Sequence, residues 1–533
     1  MTGLLGTSAL VRVALRRDRV VLPLSVLALV LTVVSTAISF EDLYPTAASR
    51  AELGADVGDN PGLRALYGAI HDASTTGGLV AWRMLAFGAA LAALLSVLVV
   101  IRHTRAEEET GRLELVGAGV VGRSAPLAAA LLVVGAADLA LGLLLGLGLL
   151  AQGQPAGGAF AMGLAIASAG WVFGAVAAVT AQLTESARLA RGLAAGALGV
   201  AFVLRAAGDA AEAGGPTWLS WLSPIGWAEQ VRPFAGDRWA PLALAVLATA
   251  LLAGAAFALA ARRDLGAGLL PQRPGPAHAS PRLRSPFALA WRLQRGALLG
   301  WSAGFAIAGA ALCGIADSVA DLVDENQQLI DIFRDLGGQQ GVVDSFLASM
   351  MGLFGLIAAA YAVQATLRLR AEETAQRAEP LLATGTGRLR WACSHLVFAV
   401  AGTTVLLAAA GLAGGVAYGL ASGDLGGQLG RLLEAALAQA PAAWIAGGIA
   451  VALFGLLPRR TAASWAAVVL FLLIGQFGPL LQLGDWAMDL SPFTHVPKLP
   501  GGDLTAAPMV ALSAVAAALA GAGLAGFRRR DVG

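Results

Sequence analysis

Residues 105–123 read RAEEETGRLELVGAGVVGR, and residues 370–388 read RAEETAQRAEPLLATGTGR. The two stretches lie 265 positions apart and agree at nine positions, including both ends and a central arginine. So many identities at one fixed spacing indicate an internal duplication, which has to be recognised before a fold is assigned. The chain is therefore expected to consist of two homologous halves.

Further matches extend the duplication toward the end of each half. The tripeptide LSP occurs at 222–224 and 490–492, and the tripeptide RRD occurs at 262–264 and 529–531. The intervening stretch PQRPGPAHASPRLRSP, residues 271–286, is rich in proline and is typical of an extended linker. We expect a first half at 1–270, a cytoplasmic linker at 271–286 and a second half at 287–533.

The composition places these halves in a membrane. Of 533 residues, 57% are hydrophobic and only 13% are charged, and the mean hydropathy is +0.72. A hydrocarbon core of about 30 Å needs roughly 20 apolar residues in a helix. Windows of about this length occur at 20–40, 80–101, 125–150, 159–181, 192–208, 240–261, 297–316, 347–367, 392–420, 437–457, 462–481 and 505–527.

The distribution of basic residues predicts the orientation of these spans. With a cytoplasmic N-terminus, 27 of the 36 lysine and arginine residues fall in inner segments. Basic residues concentrate in cytoplasmic loops of membrane proteins. Both termini are therefore expected in the cytoplasm. The apolar and basic segment 4–17 is expected to form a helix at the membrane surface.

These observations predict an all-α polytopic membrane protein of about twelve transmembrane helices, arranged as two homologous six-helix halves. Because each half has an even number of spans, the repeat is parallel and its axis runs along the membrane normal. A substrate pathway is expected on that axis.

The duplicated stretch carries charges at helical spacing. Glu108 and Arg112 are four residues apart, as are their counterparts Glu373 and Arg377, so each pair is expected to form an ion pair. Glu107 and Glu114, seven apart, would share one helix face. A charge run usually marks a solvated loop helix. Two copies with the same charges instead favour a functional contact in the cytoplasm.

At these residues the chain resembles a known family. The run ETGRLEL and its surroundings at 107–115, followed by Arg123, resemble the coupling-helix loop of ABC-2 type permeases, which plugs into an ATPase subunit. The run WLSPIGWAE at 221–229 is similar to an element that these permeases carry outside the membrane. The second half departs from the family pattern at Gln376, Ala378 and Pro380, and in the run FTH at 493–495.

The resemblance covers nearly the whole chain, and the duplicated form is similar to actinobacterial permeases that export polyketide antibiotics and other drugs. It implies outward multidrug transport of hydrophobic compounds across the bacterial plasma membrane. It also implies two copies of a separately encoded ABC ATPase, one at each loop. The implied contact residues are Glu107, Glu108, Arg112, Glu114 and Arg123 in the first loop, and Glu372, Glu373, Arg377, Glu379 and Arg388 in the second.

The chain itself lacks the residues for ATP hydrolysis by a P-loop. That motif needs a lysine followed by serine or threonine to hold phosphates and Mg²⁺. The one lysine, Lys498, is followed by leucine in a predicted outer loop. We therefore expect no cofactor on this chain and no enzymatic activity, with ATP and Mg²⁺ bound by the ATPase. No pair of histidines has metal-ligand spacing.

Two further residues are candidates for the translocation pathway. Asp138 lies near the middle of the third span, where a charge is costly and commonly marks a pathway, although a structural aspartate is equally expected. Trp227 lies in the predicted outer element. An alternative function is therefore an ion-coupled secondary transporter with Asp138 as its proton carrier. A third is an intramembrane enzyme that acts on lipid-linked substrates.

Overall fold

The computed structural model describes residues 2–58, 61–211, 216–270, 277–278, 280–281, 283–314, 316, 338–477 and 484–531. The structure is 81% helical, and no strand occurs among these residues. The predicted all-α polytopic fold is therefore confirmed. Eleven described segments are long and apolar enough to cross a membrane.

The chain divides into two compact units, Met1–Gly275 and Pro276–Gly533. The division falls within the predicted linker 271–286, but residues 271–276, 279 and 282 lie outside the described part of the chain. The extended conformation of the linker therefore stays a prediction. Each unit is described by itself below.

The first unit contains six apolar helices of spanning length, one on each predicted window. The predicted surface helix at 4–17 corresponds to the helix α1. The helices are α1 (Thr7–Arg17), α2 (Val21–Leu43), α3 (Ala47–Gly58), α4 (Pro61–Tyr67), α5 (Thr76–His103), α6 (Arg105–Glu109), α7 (Arg112–Gly117), α8 (Ala125–Ala151), α9 (Ala156–Leu183), α10 (Ala187–Ala210), α11 (Pro224–Gln230) and α12 (Ala240–Ala261).

The second unit contains α13 (Pro286–Gly314), α14 (Gly338–Thr374), α15 (Ala378–Leu382), α16 (Arg388–Ala421), α17 (Leu425–Leu437), α18 (Ala440–Leu456), α19 (Ser464–Phe477), α20 (Asp485–Met488) and α21 (Ala506–Arg529). Five predicted windows lie on candidate spans. The sixth, 462–481, coincides with α19 but continues into residues 478–481, which lie outside the described residues. This twelfth span stays a prediction.

Glycine allows the central helices of each unit to pack closely. A Cβ atom added to Gly163 of α9 would lie 2.0 Å from the carbonyl oxygen of Gly142 in α8. In the second unit, a Cβ on Gly455 of α18 would lie 1.8 Å from the carbonyl oxygen of Gly523 in α21. Small residues at such crossings are typical of helix packing in membranes.

Candidate coupling site

The first predicted coupling loop, within residues 105–123, contains two short helices rather than one. Helix α6 ends at Glu109 and α7 begins at Arg112, and Gly111 between them adopts φ +71°. Glycine enters this left-handed region without the steric cost that a Cβ atom brings. The prediction that Glu107 and Glu114 share one face of a continuous helix is wrong, because Gly111 redirects the chain.

Glu108 pairs with arginines other than Arg112. Its carboxylate lies 2.6 Å from Arg263, which follows α12, and 2.8 Å from Arg105. The Glu108 and Arg263 side chains are 6% and 7% exposed. Arg112 lies 3.5 Å from Glu107 instead. The predicted Glu108–Arg112 pair is therefore wrong, since Glu108 turns inward toward α12 while Arg112 stays at the surface.

Arginine side chains also hold this loop through backbone carbonyls. Arg123 donates hydrogen bonds to the carbonyl oxygens of Arg263 and Ala260, the latter at 3.2 Å. Such contacts satisfy carbonyls that a helix end leaves without partners. Arg105 is fully buried and donates to the carbonyl oxygen of Ala181 in α9 at 2.8 Å. We call Arg105, Glu108, Arg123 and Arg263 the first clamp, because they fasten the loop to α12.

The second unit repeats this arrangement. Glu373 lies 2.5 Å from Arg530, which follows α21, and 3.1 Å from Arg370. Arg388 donates to the carbonyl oxygen of Arg530 at 2.7 Å. We call Arg370, Glu373, Arg388 and Arg530 the second clamp. The predicted Glu373–Arg377 pair is wrong for the same reason as in the first unit, because Glu373 faces Arg530.

Arg263 and Arg530 were not assigned to the site by the sequence analysis. The signal was the repeated tripeptide RRD at 262–264 and 529–531, which supported the duplication alone. Its position at the end of the last span of each half is what brings it to the loop. Because a glutamate (Glu108 or Glu373) and an arginine (Arg263 or Arg530) recur in both halves, an ion pair between them could have been predicted in each half.

The remaining loop residues are arranged similarly in both units but have different neighbours. Glu107 pairs with Arg17 of α1 as well as with Arg112. Its counterpart Glu372 lies 2.7 Å from Arg368 and 3.4 Å from Arg377. Glu114 and Glu379 are both exposed.

Asp138 is buried in the first unit, at 2% exposure in α8. Both carboxylate oxygens accept from the Ser96 hydroxyl, at 3.1 and 2.9 Å. A Cβ on Gly170 of α9 would lie 2.5 Å from the carboxylate, so glycine is needed there to admit the side chain. Asp138 is therefore enclosed by helices of its own unit, with one hydroxyl as its hydrogen-bond donor among the described residues.

Trp227 lies in α11, in the predicted outer element. Its indole N–H donates to the carbonyl oxygen of Trp221 at 2.6 Å, which holds the ring against the preceding turn. Two residues on, the Glu229 carboxylate is buried 3.3 Å from Arg205. Burial raises the pKa of Glu229 well above its usual value, while Arg205 opposes this shift. Glu229 of this element and Arg205 of α10 thus face each other in a buried position two residues along the chain from Trp227.

Within the described residues, no group of histidine, cysteine and acidic side chains could hold a metal ion.

The comparisons with known proteins agree with a transport function. The family described as "Multidrug efflux system permease Rv1217c, C-terminal domain" matches residues 43–260 and 283–528. The chain belongs to this family. The Rv1217c family match includes both predicted coupling loops and ends just before Arg263 in the first unit and Arg530 in the second.

A full-length relative has the same family name. The multidrug efflux system permease protein Rv1217c of Mycobacterium tuberculosis (strain ATCC 25618 / H37Rv) is 44% identical over 532 residues. The alignment spans 100% of this chain and 96% of the relative. Membership of the Rv1217c permease family and the eleven apolar helices among the described residues make this chain a membrane protein.

Proposed function

We propose that the chain is the permease subunit of an ABC-2 type exporter that moves hydrophobic compounds, such as polyketide antibiotics, drugs or lipids, out of the bacterial cell. Two copies of a separate ABC ATPase would bind ATP and Mg²⁺ and contact the two coupling loops. Its membership of a multidrug efflux permease family supports a role in efflux. The excess of basic residues in the predicted inner segments supports cytoplasmic loops and termini.

The observation that carries this proposal is the duplicated clamp. Each coupling loop is fastened to the last long helix of its own unit by an ion pair, which is buried at Glu108–Arg263 and partly buried at Glu373–Arg530. Displacement of a loop by a bound ATPase would therefore move the end of α5 together with α12, or the end of α14 together with α21. Such rigid-body motion is a common way to convert a local contact into alternating access.

Co-purification tests the proposal. The chain is expressed with the product of an adjacent ATPase gene, and we expect two ATPase subunits per permease. Reversing the exposed carboxylates, Glu114→Arg with Glu379→Arg, is expected to weaken the complex, because an ion-pairing surface would become repulsive. Glu52→Arg, an exposed position in α3 on the predicted outer side, is the control. Failure of any ATPase to bind the wild-type permease would contradict the proposal.

A second candidate function is ion-coupled secondary transport, and the enclosed Asp138 favours it. An acidic side chain inside a span with one hydroxyl donor could carry a proton. If so, Asp138→Asn would abolish transport driven by a proton gradient in vesicles without ATP. Under the preferred proposal, ATP-dependent transport survives this substitution, since asparagine can still accept from Ser96.

A further inference from the structure

The two clamps are alike, but the tips of the two loops differ. In the first tip, residues 113–121, Leu115 is 79% exposed and Val120 is 85% exposed. Helix α7, which carries Leu115, buries none of its residues. Large apolar side chains this exposed within one short loop commonly mark a site of protein interaction.

The second tip, residues 378–386, lacks this apolar surface. The positions equivalent to Leu115 and Val120 are Pro380 and Gly385. The leucines of this tip, Leu381 and Leu382, are partly buried against a cluster that contains Trp391, Phe454 and Phe527. The second tip therefore packs its large apolar side chains into its own unit, whereas the first tip exposes Leu115 and Val120.

Both tips nevertheless keep the same charge. Glu114 and Glu379 are exposed, and neither forms an ion pair within the described part of the chain. Arg112, immediately before the first tip, is 59% exposed. Charged side chains on the same short helix as Leu115 favour an aqueous protein partner over the hydrocarbon of the bilayer. A complementary partner surface would offer a cation to either carboxylate and an apolar pocket to the first tip.

We propose that the first coupling loop is the main docking site for the ATPase, and that Leu115 and Val120 enter an apolar pocket of that subunit beside a cation that pairs with Glu114. The second loop offers the carboxylate of Glu379 without exposed side chains equivalent to Leu115 and Val120. This inference rests on the proposed function and deepens it. Its consequence is that the two ATPase subunits bind with unequal affinity.

Matched substitutions separate the two loops. Permease in lipid nanodiscs is immobilised, and the affinity of the purified ATPase is measured by biolayer interferometry. We expect Leu115→Ser with Val120→Ser to weaken binding about tenfold or more, because two apolar side chains lose their burial. Pro380→Ser is the matched control in the second tip, because the counterpart of Val120 there is Gly385, which has no side chain to replace. It is expected to change affinity by less than about twofold. Pro380→Leu adds an apolar side chain to the second tip. When it is combined with Leu115→Ser and Val120→Ser, it is expected to restore part of the affinity that those two substitutions remove.

The outcomes distinguish this inference from the proposed function. If the wild-type permease binds no ATPase, the proposed function itself fails. If the wild type binds and the two loops respond equally, or the first loop does not respond, unequal docking is wrong while the proposed function stands. Because all the altered side chains are exposed, unchanged gel-filtration profiles and melting temperatures are expected, and they show that the variants fold.

Discussion

Gln376 adopts φ +55° at the position where the first loop has Gly111, at φ +71°. A left-handed conformation costs a residue with a Cβ atom roughly 1–2 kcal/mol, partly offset in glycine by its larger chain entropy. Gln376→Gly is therefore expected to raise the free energy of unfolding by up to about 1 kcal/mol. Gly111→Ala is expected to lower it by about 1 kcal/mol. Thermal unfolding of the purified variants measures both, and shifts of the same sign would contradict the argument.

Glu229 is expected to make stability depend on pH. Burial raises the pKa of this carboxyl group, whose usual value is 4.5. The folded state therefore holds the proton more tightly than the unfolded state, and stability falls as pH rises above about 4.5. Glu229→Gln keeps the shape of the protonated group and removes this loss. We expect its melting temperature to fall less than that of the wild type between about pH 5 and 8. Glu52→Gln, at an exposed position, is the control. Melting temperatures of Glu229→Gln and wild type that change in parallel with pH would contradict this prediction.

At the scale of single residues, the sequence identified the loops but not their ion pairs. The spacing of Glu108 and Arg112 predicted a local pair, because four residues span one helical turn. The observed pair joins Glu108 to Arg263, 155 positions away. Spacing rules describe neighbours on one helix, whereas this contact depends on how α5 and α12 both pack against α9. The break at Gln376 was equally hidden, since glutamine seldom adopts a positive φ.

At the scale of helices, the predicted spans agree well with the structure because lipid requires every spanning backbone group to be hydrogen-bonded within its own helix. Hydropathy alone therefore locates α8 and α12. The windows 125–150 and 240–261 begin at the first residue of each helix and end within one residue of its last. The charged loops follow no such rule. Their conformation is determined by contacts with the ends of distant helices, as at Arg123, which binds carbonyl groups at the end of α12.

The clamps are expected to stabilise the packing of these helices. Arg263→Ala leaves the Glu108 carboxylate buried with Arg105 as its remaining cation. Breaking a buried ion pair costs on the order of 3 kcal/mol, so a clear fall in melting temperature is expected. Arg262→Ala, at the exposed neighbouring position, is the control and is expected to leave the melting temperature nearly unchanged. Arg530→Ala should act on the second unit in the same way, and wild-type stability in both variants would contradict a role for the clamps in packing.

At the scale of the whole molecule, the number of spans determines where the termini lie. Eleven spans would place the two termini on opposite sides of the membrane, whereas twelve place them on the same side. Eleven candidate spans are described, and the predicted twelfth, 462–481, coincides with α19 (Ser464–Phe477). The excess of basic residues at both ends of the chain favours twelve, because both ends are then cytoplasmic.

Fusion reporters test directly whether the number of spans is eleven or twelve. Green fluorescent protein fluoresces when it folds in the cytoplasm, and alkaline phosphatase is active when it is exported. We expect fluorescence from fusions at either terminus, and phosphatase activity from a fusion at Gly501, which lies between α19 and α21. Active phosphatase at the C-terminus, with fluorescence at Gly501, would mean that 462–481 does not cross the membrane. Arg530 would then lie outside the cell while Glu373 stays in the cytoplasm, so the Glu373–Arg530 ion pair could not form, and this experiment also tests the symmetry of the proposed coupling.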